Sequence, residues 1–499
     1  MNIEVVSGPI TEILCDTVIV SLFEGVMTPG GATGTVDKAL NSHISEIIRD
    51  MPDCGKYGET MVIHTFGAIG AKRILLLGLG KENEITVDKV RELMATAIRT
   101  AKKMQSQTVA TIIHNASDKL EACQTAQAVV EGAVMGVYQF TYYKTGQNDN
   151  PGIKRLLLIE NDTGNVDAIT KGIKAGQIIA ESVNYTRDLI NHPAQYMTPT
   201  KMAWHAGEIA EQYGFELTVL EKEDMQQKGM GALLAVAQGS IEPPKLIVLK
   251  YQGDPTSQEI VAFVGKGITF DSGGISIKPS QKMDEMKGDM AGGAAVLGAM
   301  MALGQLKPKV NILAVVPCTE NMPSGSAFRP GDILTSMSGK TIEVLSTDAE
   351  GRLILADAVT YAKKLGATKI IDLATLTGAC VVALGTTYSG VITNNRQWCQ
   401  NVLTASQKIG EKLWELPNDV EYLEQIKSSI ADLKNTGGRP GGTITAGLFI
   451  GQFADKTPWV HIDIAGTADT DKDKGYNCKG GTGVGVRTLI QLATTLSKS

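Results

Sequence analysis

A chain of 499 residues is longer than a single hydrophobic core usually accommodates, so its length predicts two domains. With 43% hydrophobic and 20% charged residues, the composition is that of an ordinary soluble globular protein. The net charge of −6 disfavours a protein that binds nucleic acid or an anionic membrane through bulk electrostatic attraction, although it does not rule out a local basic patch.

Short apolar runs alternate with helical patterns in the first part of the chain. Strands are predicted over residues 17–22 and 73–77, and helices over residues 87–104, 122–135 and 167–189. The second strand runs into Gly78-Leu79-Gly80, but the third glycine of a dinucleotide-binding fingerprint is absent. We therefore interpret this segment as a tight turn rather than as a nucleotide site.

The second part of the chain shows the alternation of strands and helices more strongly. Strands are predicted over residues 246–249, 260–264, 310–316 and 370–374, and helices over residues 291–306 and 353–364. These strands are nearly continuous apolar runs, which is typical of parallel strands buried on both faces. In such sheets, ligands bind beyond the carboxyl ends of the strands, so the loops there are candidates for function.

Together these patterns predict an α/β protein of two domains. We expect a smaller amino-terminal α/β domain over residues 1–165, a linker helix and turn over residues 166–195, and a larger carboxyl-terminal α/β domain over residues 196–499. The larger domain should contain a mixed, mostly parallel sheet flanked by helices. The smaller domain is expected to serve oligomerisation or regulation.

Two glycine-lined segments concentrate charged residues, and the first covers residues 347–353. It places Asp348, Glu350 and Arg352 just after a strand-like run over residues 341–345. Because the two carboxylates are two positions apart, they project from the same face if the segment is extended. A helix cap or a solvated loop is the alternative for any single carboxylate, but the pair is typical of a metal site.

The second charged cluster lies upstream, beyond the carboxyl end of the strand over residues 260–264. Lys266 and Asp271 are embedded among glycines, and Lys278 and Asp289 follow them. Glycine lets a backbone approach a ligand closely, so charged side chains in such a segment are candidates for binding. Asp289 shortly precedes an apolar helix, and a helix N-cap is the competing interpretation for it.

The four carboxylates of the two clusters match the charge of two divalent ions, which together can activate water and polarise a carbonyl group. The seven cysteines and six histidines form neither Cys-x-x-Cys nor His-Glu-x-x-His, so oxygen ligands must dominate. Such sites accept Mn²⁺ or Zn²⁺. A lysine can also bind a metal ion once it loses its proton, but the residues alone do not choose between Lys266 and Lys278.

One short run points to a different chemistry. The segment Asp271-Ser272-Gly273-Gly274 resembles the sequence around the nucleophile of trypsin-like serine proteases. That family is all-β and rich in disulfides, whereas this chain alternates strands with helices and has scattered cysteines. We therefore do not interpret Ser272 as a nucleophile.

Taken as a set, the motifs resemble those of the leucyl aminopeptidases, the cytosol aminopeptidase family. Residues 347–353 match seven of the eight letters of the signature Asn-Thr-Asp-Ala-Glu-Gly-Arg-Leu, and Ser346 stands in place of its asparagine. Further blocks that look like those of the family lie at residues 188–193, 264–274, 287–293, 321–325, 329–332, 372–378 and 461–467. The substitution at Ser346 puts the rigidity of the loop that carries Asp348 in question.

The resemblance implies two sets of metal ligands. Lys266, Asp271, Asp289 and Glu350 match the ligands of a tightly bound ion. Asp271, Asp348 and Glu350 match those of an exchangeable ion, for which Asp348 also provides its backbone carbonyl.

The resemblance also implies the catalytic and substrate-binding residues. Lys278 matches the residue that polarises the scissile carbonyl, and Arg352 matches the residue that holds a bicarbonate ion as general base. Arginine stays protonated, so it can only position a base. The implied substrate-binding residues are Lys278, Asp289, Met286, Thr375, Gly378 and Ala465. Ala468 stands where some relatives carry a bulkier residue, which predicts a wider pocket.

The implied activity is that of a metal-dependent aminopeptidase. A hydroxide that bridges two divalent ions would attack the scissile carbonyl and release leucine or other residues from peptides with a free amino terminus. The resemblance implies a homohexamer, and the lack of a signal sequence or of about 18 consecutive apolar residues predicts a cytoplasmic protein without membrane contact. The alternatives are a narrow dipeptidase, such as a Cys-Gly hydrolase, and a DNA-binding role, which the net charge disfavours.

Overall fold

The computed structural model describes residues 1–114, 120–146 and 152–497. The chain forms two compact units, one from Met1–Glu181 with Lys472–Cys478 and the other from Ser182–Asp471 with the chain from Lys479 onwards. The boundary falls inside helix α5 (Val166–Asn191), within the range 166–195 that the sequence analysis sets apart. The inclusion of residues 472–478 in the first unit has no local signal in the sequence, because it depends on contacts between distant segments.

A six-stranded sheet forms the centre of the first unit. Its strands are β1 (Asn2–Val6), β2 (Cys15–Phe23), β3 (Thr60–His64), β4 (Ala71–Gly80), β5 (Thr108–Thr111) and β6 (Arg155–Ile159). They lie in the order β1-β6-β5-β2-β4-β3, and among these described strands only β3 is antiparallel to its neighbour. The predicted strands over residues 17–22 and 73–77 are confirmed as the adjacent strands β2 and β4.

Helices cover both faces of this sheet because its inner strands are apolar on both sides. The helices of the unit are α1 (Gly31–Ala39), α2 (His43–Asp50), α3 (Val87–Lys103), α4 (Ala122–Gly136) and the first part of α5. Ile19 of β2 packs in one apolar cluster with residues of α3 and α4, whereas its neighbour Val18 packs in another with residues of α1 and α2. This alternation follows from the two-residue period of a strand.

The second unit contains the larger sheet and most of the helices. Its strands are β7 (Glu216–Leu220), β8 (Lys245–Gln252), β9 (Ile260–Gly265), β10 (Gly267–Asp271), β11 (Asn311–Asn321), β12 (Ile333–Thr335), β13 (Thr341–Glu343), β14 (Lys369–Ala374), β15 (Ser389–Thr393), β16 (Leu413–Glu415), β17 (Leu433–Lys434), β18 (Trp459–Asp463), β19 (Asp469–Thr470) and β20 (Gly480–Gly481). Its helices are α6 (Pro199–Tyr213), α7 (Lys222–Gln227), α8 (Gly231–Ala237), α9 (Ala291–Leu306), α10 (Gly351–Lys364), α11 (Gly378–Leu384), α12 (Arg396–Ile409), α13 (Val420–Glu424), α14 (Gly442–Ala454) and α15 (Val486–Leu496).

The large sheet is mixed but mostly parallel. Its strands follow the order β16-β15-β18-β14-β9-β11-β8-β7, and β10 pairs with β11. Strands β18, β14, β9 and β11 run parallel to one another. The antiparallel pairs are β8 with β11, β7 with β8, and β15 with β18. The structure therefore confirms the predicted α/β class, with a smaller and a larger α/β part and helices that flank the sheets.

The parallel strands bring distant loops to one edge of the large sheet. Leu373 of β14 lies opposite Gly265 of β9, and Ala374 lies opposite Asp463 of β18. The loops that follow these three strands therefore start side by side. The N–H group of Lys266, the residue directly after β9, donates to the carbonyl oxygen of Leu373 at 3.0 Å, which fixes the start of its loop.

Among the described residues, the helical stretch Met283–Leu306 is long and apolar enough to cross a membrane, judged by length and composition alone. Of its apolar window, 83% is buried inside the protein. Helix α9, which makes up most of this stretch, packs on strands β9, β11 and β14. This burial is typical of the core helix of a folded domain.

Helix α10 contributes a buried carboxylate that joins three segments. The fully buried Asp357 accepts hydrogen bonds from the N–H group of Leu233 in α8, at 2.9 Å, and from that of Met337 between β12 and β13, at 2.8 Å. Burial raises the pKa of Asp357 to about 7, although the N–H groups that bond to it act in the opposite direction. The carboxylate thus links the helix that follows the 347–350 loop to two neighbouring segments.

Replacing Asp357 with alanine is expected to lower the free energy of unfolding by about 2–5 kcal/mol, because two buried N–H groups lose their acceptor. Denaturant unfolding followed by circular dichroism checks this value. The control is Asp432→Ala, since the exposed Asp432 also accepts two hydrogen bonds, both from Thr341, that water can replace. An equal loss in both variants would contradict the assigned importance of burial.

Candidate metal centre

Lys266 lies in a pocket beyond the carboxyl ends of the parallel strands. It connects β9 to β10 and is only 2% exposed. Its Nζ atom is 2.8 Å from Asp289 Oδ2 and 2.8 Å from Glu350 Oε1, and it donates to the carbonyl oxygen of Thr375 at 3.0 Å. Four segments that are far apart in the sequence therefore meet at one ammonium group.

The second lysine of this region lies nearer to solvent. Lys278 is half-buried, and its Nζ atom is 2.8 Å from Asp271 Oδ2 and 2.5 Å from Asp348 Oδ1. Asp271 is buried, whereas Asp348 is exposed. The structure thus distinguishes the two lysines that the residues alone left undecided, since Lys266 is enclosed by carboxylates and Lys278 lies on the open side.

Three carboxylates converge between these lysines. One ligand oxygen each from Asp271, Asp348 and Glu350 lies within 4.8 Å of the other two. Asp271 ends strand β10, and Glu350 directly precedes helix α10, which begins two residues earlier than the sequence predicts. The two carboxylates of the 347–353 segment therefore reach the same pocket although only one of them is buried.

Asp289 is the fourth carboxylate of the site, where it pairs with Lys266, and it does not cap the following helix. Its Oδ1 atom accepts a hydrogen bond from the hydroxyl group of Thr375 at 2.7 Å, while Oδ2 faces Lys266. Met290 occupies the N-cap position of α9, and no side-chain cap is formed there. The N-cap interpretation of Asp289 is therefore wrong, because the carboxylate turns towards the ammonium group instead of the helix.

Burial and mutual repulsion dominate the electrostatics of the pocket. Burial raises the pKa of Asp289 and that of Glu350, and the negative charge of Asp271 raises both further. Burial lowers the pKa of the Lys266 ammonium group, but the charges of Asp289 and Glu350 outweigh it and raise this pKa above its usual value. The pocket therefore favours positive charge.

The donor set fits divalent cations. Carboxylate oxygens are the ligands that hard divalent ions prefer, and four such groups point into one pocket. The buried Oε2 atom of Glu350 accepts no hydrogen bond from any residue that the structure describes. A buried acceptor of this kind is unfavourable unless a cation or another donor satisfies it. The ammonium groups of Lys266 and Lys278 form ion pairs with these carboxylates and so show where positive charge is stabilised.

Gly351 has no side chain and thereby leaves room for the enclosed side chain of Lys266. A Cβ atom on Gly351 would lie 2.7 Å from Nζ of Lys266, which is closer than nonbonded atoms normally approach. A pair of glycines turns the chain after Asp271, where Gly273 and Gly274 have φ angles of +87° and +67° that other residues rarely adopt. Glycine is therefore favoured in both charged clusters, because a larger residue would clash with Lys266 at position 351 or strain the backbone at positions 273 and 274.

Arg352 lies in the first turn of α10 with a buried guanidinium group. Its Nη1 atom donates to the carbonyl oxygen of Asn435 at 2.7 Å, whereas Nε has no partner among the described residues. Burial lowers the pKa of Arg352 to about 10, against the opposing effects of Glu350 and Asp463. The group is therefore still charged at neutral pH, and its unsatisfied donor can hold an anion.

The predicted pocket residues come from several segments. Thr375 contacts Asp289 and Lys266 directly, as described above. Met286 is half-buried, and its carbonyl oxygen accepts from the N–H group of Asp289 at 3.3 Å. Gly378 is exposed at the start of α11, and a Cβ atom there would meet no described atom within 4 Å. The structure thus joins Thr375 and Met286 to the carboxylates and leaves Gly378 at an open surface.

Ala465 is tied to the same region through a buried aspartate. The Oδ1 atom of Asp463 accepts from the N–H groups of Ala465 and Leu376, at 3.1 and 3.2 Å, and Oδ2 accepts from the hydroxyl group of Thr377 at 2.7 Å. Ala465 is half-buried, and Ala468 is buried. Asp463 therefore holds two pocket loops together.

The sequence analysis assigned no role to three buried side chains that hold this site, namely Asn321, Asn435 and Asp463. Asn321 donates through Nδ2 to Asp271 Oδ1 at 2.8 Å and to the carbonyl oxygen of Thr347 at 3.0 Å. Asn321 and Asp463 each lie at the end of a strand and within a family-like block, which is a signal that could have identified them. Asn435 lies outside every such block.

Two serines near the carboxylates have structural contacts. Ser272 donates its hydroxyl hydrogen to the carbonyl oxygen of Asn321 at 2.7 Å and is buried, which agrees with its exclusion as a nucleophile. The hydroxyl oxygen of Ser346 accepts from the N–H group of Asp348 at 3.3 Å. Serine at this position therefore still offers an acceptor that closes the turn before Asp348.

Comparisons with known proteins cover the whole chain. The family model described as the cytosol aminopeptidase family, catalytic domain, matches residues 184–490, and the model of the amino-terminal domain of the same family matches residues 19–147. A probable cytosol aminopeptidase of Alkaliphilus metalliredigens is 49% identical, and one of Alkaliphilus oremlandii is 48% identical. Each match covers 100% of both chains.

Solved structures give the same result. A variant of tomato leucine aminopeptidase has 35% sequence identity and a TM-score of 0.89, over 99% of this chain and 96% of that chain. The bottromycin maturation enzyme BotP in complex with Mn has 33% identity and a TM-score of 0.85, over 97% and 99% of the two chains. The chain therefore belongs to the cytosol aminopeptidase family, and it is a metal-dependent aminopeptidase.

Proposed function

We propose that this aminopeptidase acts through two divalent ions, with Lys266, Asp271, Asp289, Asp348 and Glu350 as the metal ligands. The supporting observation is the convergence of these side chains in one pocket, where ion pairs measure 2.5–2.8 Å and three carboxylates lie within 4.8 Å. Asp348 is exposed and the other four are buried, which agrees with an exchangeable ion on the solvent side and a tighter ion inside.

Lys278 is proposed to stabilise the negative charge that develops on the scissile carbonyl oxygen. The ions, when bound, would activate water and polarise this carbonyl. Burial lowers the pKa of Lys278, but Asp271 and Glu350 raise it above its usual value, so the side chain is a hydrogen-bond donor and not a base. A donor held in place before the reaction contributes about 3–4 kcal/mol to transition-state stabilisation.

Arg352 is proposed to hold a bicarbonate ion that serves as the general base. The guanidinium group stays charged, so it cannot accept a proton itself. Its Nη1 atom donates to the carbonyl oxygen of Asn435, and the Nε atom, which has no partner in the described parts of the chain, is left for an anion. A buried cation of this kind favours a bound anion over an empty pocket.

The substrate is proposed to be a peptide with a free amino terminus. Asp289 lies beside Thr375 in the buried part of the pocket, where a carboxylate can receive the substrate's amino group. Met286, Thr375, Gly378 and Ala465 are proposed to bind the first residue of the peptide. Because Ala468 is small, we expect the pocket to accept leucine and also larger residues.

The remaining properties follow from the family and are proposed on that basis. We propose Mn²⁺ or Zn²⁺ as the ions, and the BotP structure in complex with Mn supports the first. A homohexamer in the cytoplasm is proposed, with catalysis assigned to residues 196–499 and an oligomeric or regulatory role to residues 1–165. The family models and the named relatives favour neither a narrow dipeptidase nor a DNA-binding protein.

Hydrolysis of leucine p-nitroanilide tests the proposed function directly. Protein stripped with EDTA is expected to be inactive, and Mn²⁺ or Zn²⁺ should restore release of p-nitroaniline. The N-acetylated substrate is the matched control, because it lacks the free amino group that Asp289 is proposed to bind. Equal cleavage of both substrates would contradict the requirement for a free amino terminus.

Replacing Asp348 with alanine is expected to abolish activity and to leave one tightly bound ion per chain, because the exchangeable ion loses a ligand. Metal analysis after dialysis gives the number of ions. Asp284→Ala is the control, since Asp284 is a nearby exposed carboxylate that has no proposed role. If the Asp348→Ala variant retains two ions per chain, Asp348 is not a metal ligand and this assignment is wrong.

Replacing Lys278 with alanine is expected to lower kcat about 10²- to 10³-fold, because the transition state loses its hydrogen-bond donor. The metal content should stay unchanged, since Lys278 is not a proposed ligand. Steady-state kinetics and metal analysis check these two values. Lys282→Ala is the control, because the exposed Lys282 pairs with Glu285 at the surface. An unchanged kcat in Lys278→Ala would remove Lys278 from the mechanism.

A further inference from the structure

Asn435 is a fully buried residue whose side chain binds the backbone of the loop that carries two proposed metal ligands. Its Oδ1 atom accepts from the N–H groups of Leu345 and Ser346, at 2.8 and 3.3 Å. Its Nδ2 atom donates to the carbonyl oxygen of Ser346 at 2.6 Å. One planar amide thus satisfies donors and an acceptor of a segment that lies about ninety positions earlier in the chain.

The backbone of Asn435 contacts the other functional part of the same region. Its carbonyl oxygen accepts from Nη1 of Arg352 at 2.7 Å, and its N–H group donates to the carbonyl oxygen of Glu343 at 2.9 Å. The second bond extends the pairing of β17 with β13, which precedes the loop. Asn435 is therefore bonded to Glu343 before the loop, to Ser346 within it and to Arg352 after it.

The loop needs such support because residues 344–350 belong to no helix or strand. Its carboxylates at Asp348 and Glu350 repel each other and the neighbouring Asp271, so electrostatic forces tend to separate them. The loop is also held by Asn321, which donates to the carbonyl oxygen of Thr347. The two asparagines thus bond to the loop at different residues without adding charge to the pocket.

We propose that Asn435 is a positioning residue that sets the geometry of the Asp348–Glu350 loop and of Arg352 together. The inference rests on the proposed function, because it takes Asp348 and Glu350 as metal ligands. The pattern of two N–H groups and two carbonyl oxygens, those of Ser346 and, at 3.5 Å, of Ala349, requires a side chain with an acceptor and a donor at fixed spacing. Aspartate lacks the donor and would add a further negative charge, and glutamine is one methylene longer.

The test compares Asn435→Asp with the wild-type enzyme. The substitution places an oxygen atom opposite the carbonyl oxygen of Ser346, so the loop must shift. Substitution of a residue that orients metal ligands through hydrogen bonds typically lowers metal affinity about 10- to 100-fold. We expect a loss of this size in the affinity for the exchangeable ion. Titration of metal-free protein with Mn²⁺, followed by the paramagnetic resonance of free Mn²⁺, measures this loss without relying on activity.

Asn311 provides a matched control for the cost of altering a buried asparagine. Its Oδ1 atom accepts from the N–H group of Asp254 at 3.0 Å, and its Nδ2 atom donates to the carbonyl oxygens of Asp254 and Ser257 at 2.8 and 3.1 Å. It lies at the opposite end of β11 from Asn321, away from the metal centre. Asn311→Asp should lower the melting temperature comparably but leave Mn²⁺ affinity and kcat unchanged.

The outcomes separate this inference from the proposed ligand roles. Weaker Mn²⁺ binding by Asn435→Asp than by Asn311→Asp supports a positioning role, and equal binding by the two variants overturns it. If Asp348→Ala itself retains two ions, the ligand assignment fails and the inference fails with it, which is a different pattern of results. Should Asn435→Asp fail to fold, Asn435→Ser replaces the amide with a shorter hydroxyl group, which cannot reach both the donors and the acceptors of the loop and adds no charge. It is expected to show a smaller loss in the same direction.

Discussion

Four carboxylates that converge at one edge of a sheet repel one another, and the rest of the metal centre depends on this constraint. Burial raises the pKa of Asp289 and Glu350, and the neighbouring charge of Asp271 adds to the increase. The ammonium groups of Lys266 and Lys278 offset part of the repulsion through ion pairs of 2.5–2.8 Å. Divalent ions would offset it more fully, which gives a physical reason for the metal dependence of this family.

The scaffold makes such a concentration of charge possible because it fixes the chain on both sides of each loop. Strands β9, β14 and β18 are buried and parallel, so the loops that follow them begin at adjacent positions. Helix α10 then begins with Arg352 in its first turn, and its buried Asp357 attaches the helix to two neighbouring segments. The apolar core thus stabilises an arrangement that electrostatics alone would disperse.

Neutral amides complete this arrangement where a further charge would disturb it. Asn321 bonds to Asp271 and to the carbonyl oxygen of Thr347, and Asn435 bonds to the backbone of Leu345 and Ser346 in the same loop. An amide offers a donor and an acceptor without changing the net charge of the pocket. Specific hydrogen bonds can therefore orient the carboxylates, while their charge remains available for cations.

The sequence by itself determined the class of fold and the set of candidate ligands, because apolar periodicity and short charged motifs are local properties. The strands around residues 17–22, 73–77 and 260–264 and the helix from Ala291 were predictable for this reason. Only the tertiary structure decided that Asp289 faces Lys266 instead of capping α9, and that Lys266 is the enclosed lysine. It also decided that Asn435 holds a loop about ninety positions earlier in the chain. Such contacts join distant segments, and their geometry depends on how sheets and helices pack, which no local pattern records.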